Sequence, residues 1–387
     1  MTRAITGNVY RAAAYTIGMD PKHFPYDRFQ TFQADKERKL IKFLNGPSVD
    51  DVPVVVRAPC NVWGVVAGNR EQSLELQLDA LALSMQMQSD LLYSYLEPWH
   101  GVGVYANIFG CPVNWNDFDA PQTRYLYHSV DELKEVKRPR IIDSELARMA
   151  LETIRYFRQK TGDALDICLT DTQSPNDSAS LIVDTCEFFV AGLIEPERIA
   201  PFMDLVTDVM IEFSEMQLEA MGATATHPGH IMLSTRQLPG ISISDDNMSV
   251  ISQPTYRNSA LPYNNRLSDH FGGIAIHTCG NFVQNYSASK ETRNLMMIDC
   301  ALVGVDPSPN DPAKLGAAFA NTGIIIKARI GADEEDWRVL DDLIRPDLKL
   351  ILQIESDGDV AKFNRVYERL KTRCLSILAA KKKQQHV

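Results

Sequence analysis

Residues 272–281 read GGIAIHTCGN, a short apolar run that ends abruptly in a histidine, a threonine and a cysteine. Apolar runs of this length are typical of a strand buried on both faces of a parallel sheet. Polar residues also end the apolar runs at Asp171, at Ser244–Asp246 and at Glu355. In a closed (β/α) barrel the chemistry lies at the C-terminal ends of the strands. We therefore expect an α/β fold, a single (β/α)8 TIM barrel with an N-terminal helical addition.

Predicted strands and helices alternate along most of the chain, which favours a parallel sheet. Further strands are expected at Val52–Val56, Leu165–Leu169, His230–Leu233, Ile241–Ser244, Leu295–Ile298, Ile324–Ala328 and Lys349–Ile354. Helices are expected over about 71–88, over 177–191 with an N-cap at Asp177 or Ser178, and over 196–222. The segment between the first two of these helices is expected to be rich in loops. No GxGxxG or GxxxxGK[ST] motif follows a strand, which argues against the open-sheet phosphate-binding folds.

The chain of 387 residues is long enough for one barrel and a small addition. Prolines and glycines interrupt its first fifty residues, which favours a separate helical cap. The expected division is a cap over residues 1–50, a catalytic barrel over 51–380 and a polar tail over 381–387.

Composition excludes several classes of protein. The chain has 39 Lys and Arg against 50 Asp and Glu, so a broad nucleic-acid-binding surface is not expected. Its longest apolar runs are far shorter than the roughly 20 residues that a membrane span needs. The N-terminus lacks the apolar region of a signal peptide, and the seven cysteines are scattered. We expect reduced thiols and a cytoplasmic location.

The HTC triplet carries the most specific chemistry. Alternate residues of an extended chain face the same way, so His277 and Cys279 are expected to point together, with Gly280 allowing a sharp turn. Imidazole and thiolate are good zinc ligands. We predict Glu355 as the third ligand, whereas Ser356, Asp357 and Cys300 are weaker candidates. A packed histidine beside a buried thiol remains the alternative.

Other polar and aromatic residues are candidates for the barrel mouth. Three are candidates for acid–base catalysis, namely Asp171, Asp245 and Asp246. Five are candidates for substrate binding: Trp63, Glu97, His100, Tyr263 and Asn281. The alternatives are helix capping for the aspartates and core or loop packing for the others. His227 and His230 flank a Pro-Gly pair, which favours a turn over a metal pair.

The stretch from Gly240 to Asn281 resembles the uroporphyrinogen decarboxylase superfamily. It combines an acidic strand end, a Ser-Gln-Pro turn at 252–254, the Pro262-Tyr263 helix and the strand that ends in His-x-Cys-Gly. The segments 171–222 and 97–111 fit the same family. The resemblance covers roughly residues 50–375 and implies a single (β/α) barrel with an N-terminal helical addition.

The superfamily contains two chemistries. Its decarboxylase branch carries an arginine-rich segment where this chain reads RAPCNVW from Arg57. A polycarboxylate needs several cationic partners, and Arg57 with Arg70 is a small supply. The second branch comprises zinc methyltransferases that act with corrinoid proteins, and His277 and Cys279 match its His-x-Cys pattern. A second cysteine of that branch is replaced here by the Glu355 region.

The resemblance therefore implies a methyltransferase that uses Zn²⁺ and moves a methyl group between a small substrate and cobalamin. The chain has no Asp-x-His-x-x-Gly pattern, so the cobalamin is expected on a partner corrinoid protein or free in solution. The competing interpretations are a metal-free decarboxylase of a tetrapyrrole or small acid and a non-catalytic barrel that binds a corrinoid or a partner. The sequence leaves the oligomeric state open, and a homodimer is compatible with each of these interpretations.

Overall fold

The computed structural model describes residues 18–46, 50–62, 64–116 and 120–385. Its strands are β1 (Val54–Arg57), β2 (Tyr95–Leu96), β3 (Val113–Asn114), β4 (Gln122–Thr123), β5 (Asp166–Ile167), β6 (Ile241–Ser244), β7 (Ile274–His277), β8 (Leu295–Ala301), β9 (Ile325–Arg329) and β10 (Leu350–Glu355). The strands β3 and β4 form a small antiparallel hairpin, whereas the pairings of β1, β2, β5, β6, β7 and β10 are parallel.

Helices occupy most of the connections between the parallel strands. They are α1 (Tyr26–Asn45), α2 (Arg70–Ser84), α3 (Val104–Ile108), α4 (Glu145–Thr161), α5 (Pro175–Ile182), α6 (Thr185–Ile194), α7 (Pro196–Met221), α8 (Gln253–Ser259), α9 (Leu261–Phe271), α10 (Tyr286–Ser289), α11 (Pro312–Phe319), α12 (Leu340–Leu343) and α13 (Val360–Gln385). None of these helices is both long and apolar enough to cross a membrane.

The described chain forms two compact units. The first contains the described residues of 1–62, 71–93 and 300–387, and the second contains those of 63–70 and 94–299. The predicted division into cap, barrel and tail remains a prediction. The helix α13 continues through most of the predicted tail, to Gln385.

In the first unit β10 lies between β1 and β9. Nearly every residue of these three strands is buried, which explains their continuous runs of valine, leucine and isoleucine. The helix α13 packs on β1 with its buried residues Phe363, Leu370 and Cys374. The core of this unit therefore lies between α13 and the sheet.

In the second unit β7 lies between β6 and β8, and β2 pairs with β5. The long helix α7 buries an apolar stripe that includes Phe202, Val206, Val209 and Phe213, in the positions that the three- and four-residue spacing predicts. It packs against α4, α5, α6 and α9. The same unit contains the strands whose ends carry the candidate site.

Most predicted elements are found, with three corrections. Residues 230–233 form a turn and not a strand, because the amide of Met232 bonds back to the Gly229 carbonyl at 2.9 Å. The supposedly loop-rich middle contains α4, which begins after its N-cap Ser144 and ends before Gly162, whose φ is +60°. The helix expected over 177–191 is two helices, and Ser174 caps the first by accepting from the Asp177 amide.

Candidate functional site

The C-terminal end of β7 brings His277 and Cys279 together. The Cys279 Sγ lies 3.4 Å from His277 Nε2, so the two side chains point the same way, as strand alternation predicts. The chain turns immediately afterwards at Gly280, whose φ is +72°, a conformation that favours glycine. His277 is buried and Cys279 is exposed, so one donor is anchored in the fold and the other is accessible.

Asp246 completes what we call the donor cluster, which consists of Asp246, His277 and Cys279. One ligand atom from each of the three residues lies within 4.8 Å of the others. The Asp246 Oδ1 is 3.9 Å from His277 Nε2 and accepts a hydrogen bond from the Cys279 amide at 2.6 Å. Ligand atoms around a tetrahedral zinc ion lie roughly 3.5 Å apart at the usual bond lengths. The imidazole, thiol and carboxylate therefore fit one zinc ion.

Asp299 holds the ring of His277 from behind. It lies opposite His277 on the neighbouring strand β8, and its Oδ2 is 2.5 Å from His277 Nδ1. Both residues are buried. A carboxylate that accepts from Nδ1–H fixes the tautomer and leaves the Nε2 lone pair for a metal, the arrangement that orients most metal-bound histidines.

Asp177 fixes the turn that carries Asp246. Its carboxylate accepts from the backbone amides of Asp246 at 2.6 Å and of Asn247 at 3.1 Å, at the start of a 3-10 helix over Asp246–Ser249. Burial, followed by the nearby carboxylates of Asp245 and Asp246, raises the pKa of Asp177 well above its usual range. The position of Asp246 thus depends on a buried side chain from α5.

Asp245 is fully buried and faces a different set of partners. It accepts from Asn264 Nδ2 at 2.8 Å and from Ser174 Oγ at 3.3 Å. Burial raises its pKa to about 6, although these hydrogen bonds oppose the shift. These contacts tie the end of β6 to α5 and α9, and the catalytic role predicted for Asp245 remains a prediction.

Glu355 belongs to the first unit. Its Oε1 accepts from Gln353 Nε2 at 2.5 Å and lies 3.7 Å from Arg57 Nη1. The carboxylate that the structure groups with His277 and Cys279 is that of Asp246. The prediction that Glu355 is a metal ligand remains a prediction.

The weaker candidates for the third ligand have other contacts. Ser356 Oγ accepts from the Gly358 amide at 2.9 Å, and Asp357 pairs with Lys362 at 2.6 Å. Cys300 is completely buried in β8. These contacts give Ser356 and Asp357 local structural roles, and Cys300 is part of the buried core.

The residues predicted to bind substrate are spread over the second unit. His100 is buried with its Nδ1 2.7 Å from the Ala67 carbonyl, and burial lowers its pKa to about 4, so the ring is neutral. The Tyr263 hydroxyl faces α7, 3.5 Å from the Ala200 carbonyl. Asn281 Oδ1 accepts from the Val283 amide at 3.0 Å, next to the donor cluster. Trp63 lies outside the described residues.

Glu97 and Asp171 meet through a histidine. His230 Nδ1 hydrogen-bonds to Glu97 Oε1, and its Nε2 lies 3.4 Å from Asp171 Oδ1. His227 is separate, because its Nδ1 contacts the Gly240 carbonyl at 3.0 Å. The turn predicted for the HPGH segment is therefore correct, and the same turn delivers His230 to two of the predicted site residues.

Sequence reasoning missed Asp177, His230 and Asp299 as parts of the site. Asp299 interrupts the apolar run LMMIDCA at 295–301, and a buried aspartate in a strand usually has a partner. This polar residue in an apolar strand was the feature of the sequence that could have identified Asp299. For Asp177 and His230 the sequence shows only a helix start and a turn, so their partners depend on tertiary packing.

The comparisons with known proteins agree with this architecture. The model of the family "Uroporphyrinogen decarboxylase (URO-D)" matches residues 35–325. The chain belongs to this family. The family has the TIM-barrel fold, so the predicted fold class, with its N-terminal helix, is confirmed. None of the curated proteins matches the chain by sequence.

Two solved structures are similar to this member of the URO-D family. A methyltransferase from Methanosarcina mazei has a TM-score of 0.61 at 15% identity, over 90% of this chain and 98% of that one. A methylaspartate ammonia lyase from Clostridium tetanomorphum has a TM-score of 0.34 at 11% identity, over 82% and 69%. At this identity the first similarity establishes the fold alone, and the second carries no argument.

Proposed function

We propose that this URO-D family member is a zinc-dependent methyltransferase that moves a methyl group between a small substrate and a corrinoid. The observation that carries the proposal is the donor cluster, together with the hydrogen bond between Asp299 and His277. An imidazole nitrogen, a thiol sulfur and a carboxylate oxygen converge within 4.8 Å, which is the donor set of zinc sites. Three protein ligands leave a fourth position for a substrate, as in catalytic zinc sites.

Zinc held by Asp246, His277 and Cys279 would act as a Lewis acid on the methylated heteroatom or would lower the pKa of a bound thiol. The residues of the chain set up that chemistry. Asp299 fixes the His277 tautomer, and Asp177 fixes the turn that presents Asp246. Glu355, the third ligand predicted from the sequence, is the alternative to Asp246.

A carboxylate in the ligand set makes zinc a harder and more electrophilic ion than a second thiolate would. This favours an oxygen or halide leaving group over the activation of a thiol. The corrinoid is proposed to arrive on a partner protein or free in solution, because the chain has no Asp-x-His-x-x-Gly pattern. The cobalt chemistry belongs to the cofactor, and the barrel supplies positioning. We place the reaction in the cytoplasm.

The family name supports a second candidate, the decarboxylation of a tetrapyrrole or a smaller acid. Among the described residues, the two arginines nearest in sequence to the family's arginine-rich segment are already paired. Arg57 lies 3.7 Å from Glu355, and Arg70 lies 3.3 Å from Glu152, so each of these arginines already has a carboxylate. Release of carbon dioxide from uroporphyrinogen by the purified protein would favour the decarboxylase.

Elemental analysis tests the metal. We expect about one zinc per chain, and we expect it to be lost in His277→Ala and in Cys279→Ser. The matched controls are His270→Ala and Cys186→Ser, which change an exposed histidine and an exposed cysteine outside the donor cluster. Zinc retained by both cluster variants, or a fully active metal-free protein, would contradict the proposal.

A transfer assay tests the reaction. The zinc-loaded protein is mixed with reduced free cobalamin and a series of methyl ethers and methyl halides, and methylation is followed by absorbance. We expect transfer from at least one donor and at least a hundredfold loss in Cys279→Ser. A chain that binds cobalamin without turnover across the series would instead be the non-catalytic barrel.

A further inference from the structure

Glu97, His230 and Asp171 form a buried line of three ionisable groups in the second unit, which we call the relay. His230 Nδ1 hydrogen-bonds to Glu97, and His230 Nε2 lies 3.4 Å from Asp171 Oδ1. The side chains of Asp171 and His230 are 5% and 7% exposed, whereas that of Glu97 is 15% exposed. The relay therefore has a buried end at Asp171 and a more accessible end at Glu97.

The contacts of the relay place His230 between two carboxylates. A histidine donates to carboxylates on both ring nitrogens only as an imidazolium. Asp171 Oδ1 also accepts from Gln173 Nε2 at 2.9 Å and from Ser244 Oγ at 3.5 Å. Burial, followed by Glu97 and Asp171, raises the pKa of the adjacent Cys168 thiol well above its usual value. That thiol is therefore neutral, and it is not an anion that competes with the two carboxylates for His230.

The loop that carries His230 is held in one conformation. The Tyr95 hydroxyl lies 3.2 Å from the Gly229 carbonyl and 3.0 Å from the Met232 carbonyl. Ile231 has a φ of +59°, which a β-branched residue rarely adopts. Such strain persists only where surrounding contacts enforce it, and it is common at functional sites. The loop is thus built to position His230.

The relay lies on the same strand edge as the donor cluster. Gln173, two residues after Asp171, pairs with Ser244, and Ser244 pairs with His277. Neighbouring strands are about 4.8 Å apart, so the Asp171 strand end is roughly 10 Å from that of His277. Glu97 directly follows β2, which pairs in parallel with β5, so both ends of the relay lie at the strand edge that carries the donor cluster.

We propose that the relay is the proton donor to the leaving group of the methyl donor, with Glu97 touching the substrate oxygen and His230 and Asp171 acting as positioning residues. This inference rests on the proposed function and specifies its substrate class as a methyl ether. The alternative for the three residues is a purely structural cluster.

The step balances without a redox partner inside the chain. The C–O bond breaks and its electron pair stays on oxygen, while the methyl group goes to the corrinoid nucleophile of the proposed function. With His230 as an imidazolium, its Nδ1 proton passes to Glu97 and from Glu97 to the departing oxygen, which leaves Glu97 ionised and His230 as a neutral imidazole. Solvent then reprotonates the imidazole, so the relay ends in its starting state.

Leaving-group dependence tests this assignment. Anisole and 4-nitroanisole are the probes, since the nitrophenolate leaves readily without a proton and the phenolate does not. We expect Glu97→Gln and His230→Gln to lower the transfer rate from anisole about a hundredfold or more, the usual contribution of general acids, and from 4-nitroanisole less than fivefold. His270→Gln, which removes an exposed histidine 2.9 Å from Glu215, is the matched control and should change neither rate. Equal losses on both ethers would mean a structural role and would overturn the proposal.

Nitrogen NMR of the histidine rings gives a readout that needs neither zinc nor cobalamin. We expect both ring nitrogens of His230 to carry protons near neutral pH, and we expect one of them to lose its proton in Asp171→Asn. A neutral His230 in the wild-type protein would overturn the relay. If His230 is an imidazolium and zinc binds, but neither ether is a substrate, the proposed function fails and the relay loses its role as proton donor.

Discussion

Each of the two units carries a cluster of polar side chains in or beside its parallel strands, but the contacts within the two clusters differ. In the first unit Lys327 Nζ donates to Tyr93 OH and to Gln353 Oε1, both at 2.8 Å, and Gln353 Nε2 donates to Glu355 at 2.5 Å. We call these four residues the lysine cluster. Both polar atoms of the Gln353 amide are engaged within it. Donors meet acceptors throughout, which is what a buried ammonium group requires.

The donor cluster of the second unit is built from three groups that can each offer one ligand atom to a metal ion. His277 Nε2 and Cys279 Sγ are 3.4 Å apart, and Asp246 Oδ1 is 3.9 Å from the same nitrogen. Two carboxylates support this cluster, Asp299 through the ring and Asp177 through the backbone. The contrast supports the proposal that the donor cluster binds a metal ion, whereas the contacts of the lysine cluster stabilise the fold.

The sharpest test compares two changes from carboxylate to amide, one in each cluster. Asp246→Asn should weaken zinc binding at least a hundredfold, because one of three ligands is lost from a site worth on the order of 10 kcal/mol. Glu355→Gln should leave zinc affinity unchanged within about threefold, since its carboxylate serves Gln353 and Arg57. Titration against a zinc chelator measures both, and the reverse ranking would make Glu355 the third ligand.

The next test concerns stability and not metal. Gln353→Leu should lower the free energy of unfolding by about 3 kcal/mol, because it leaves the fully buried Lys327 ammonium with one acceptor fewer. Adding Lys327→Met should recover at least half of this loss, because the buried charge is then gone. Urea unfolding of both single variants and the double variant gives the coupling energy. Simple additivity would show that the charge is not the cause, and zinc content should stay unchanged throughout.

A third test compares His100 with His277, two histidines of the second unit whose side chains have different partners. His100 lies in the second unit with its Nδ1 2.7 Å from the Ala67 carbonyl, and burial lowers its pKa to about 4 from the usual 6.5. The unfolded chain then binds more protons than the folded chain between these two pH values. Stability is therefore complete above pH 6.5 and falls by about 3 kcal/mol as the pH drops to 4.

His100→Asn should remove this part of the acid sensitivity while its amide still reaches for the Ala67 carbonyl. The measurement is the free energy of unfolding at several pH values from 4 to 7, as the difference between the variant and the wild-type protein. The difference cancels the carboxyl groups that titrate in both chains. A difference that does not change with pH would mean that His100 is not a buried neutral base.

Much of the fold was predictable because its signals are local. The strand Ile241–Ser244 and the helix over 196–222 follow from apolar runs and spacing, and the structure has them at Ile241–Ser244 and Pro196–Met221. The helix α4 was missed although Ser144 and Gly162 mark its ends. The two-residue strand Tyr95–Leu96 is too short to produce any periodicity.

The candidate site was predictable only along one strand. The alternation of His277 and Cys279 is a local property, so their meeting could be inferred from the triplet itself. Asp246 was predicted as a strand-end candidate for acid–base catalysis, and that role remains a prediction. Its place beside Cys279 depends on Asp177, a residue 69 positions earlier whose carboxylate holds the turn. The partner of His277 required the register of β7 against β8, which the sequence does not specify.

The smallest expected effect comes from the residue behind the donor cluster. Asp299→Asn should weaken zinc binding about 10- to 100-fold, because the amide orients the ring of His277 less strongly and no longer raises its basicity. Asp299→Leu should weaken it at least as much, and Asp269→Asn is the matched control, since that exposed carboxylate pairs with Arg293. Chelator competition measures affinity, and thermal unfolding of the zinc-free proteins separates loss of affinity from loss of fold. If Asp299→Asn bound zinc as tightly as the wild-type protein, the His277–Asp299 pair would belong with the lysine cluster as a structural contact, and the contrast between the two clusters would fail at that position.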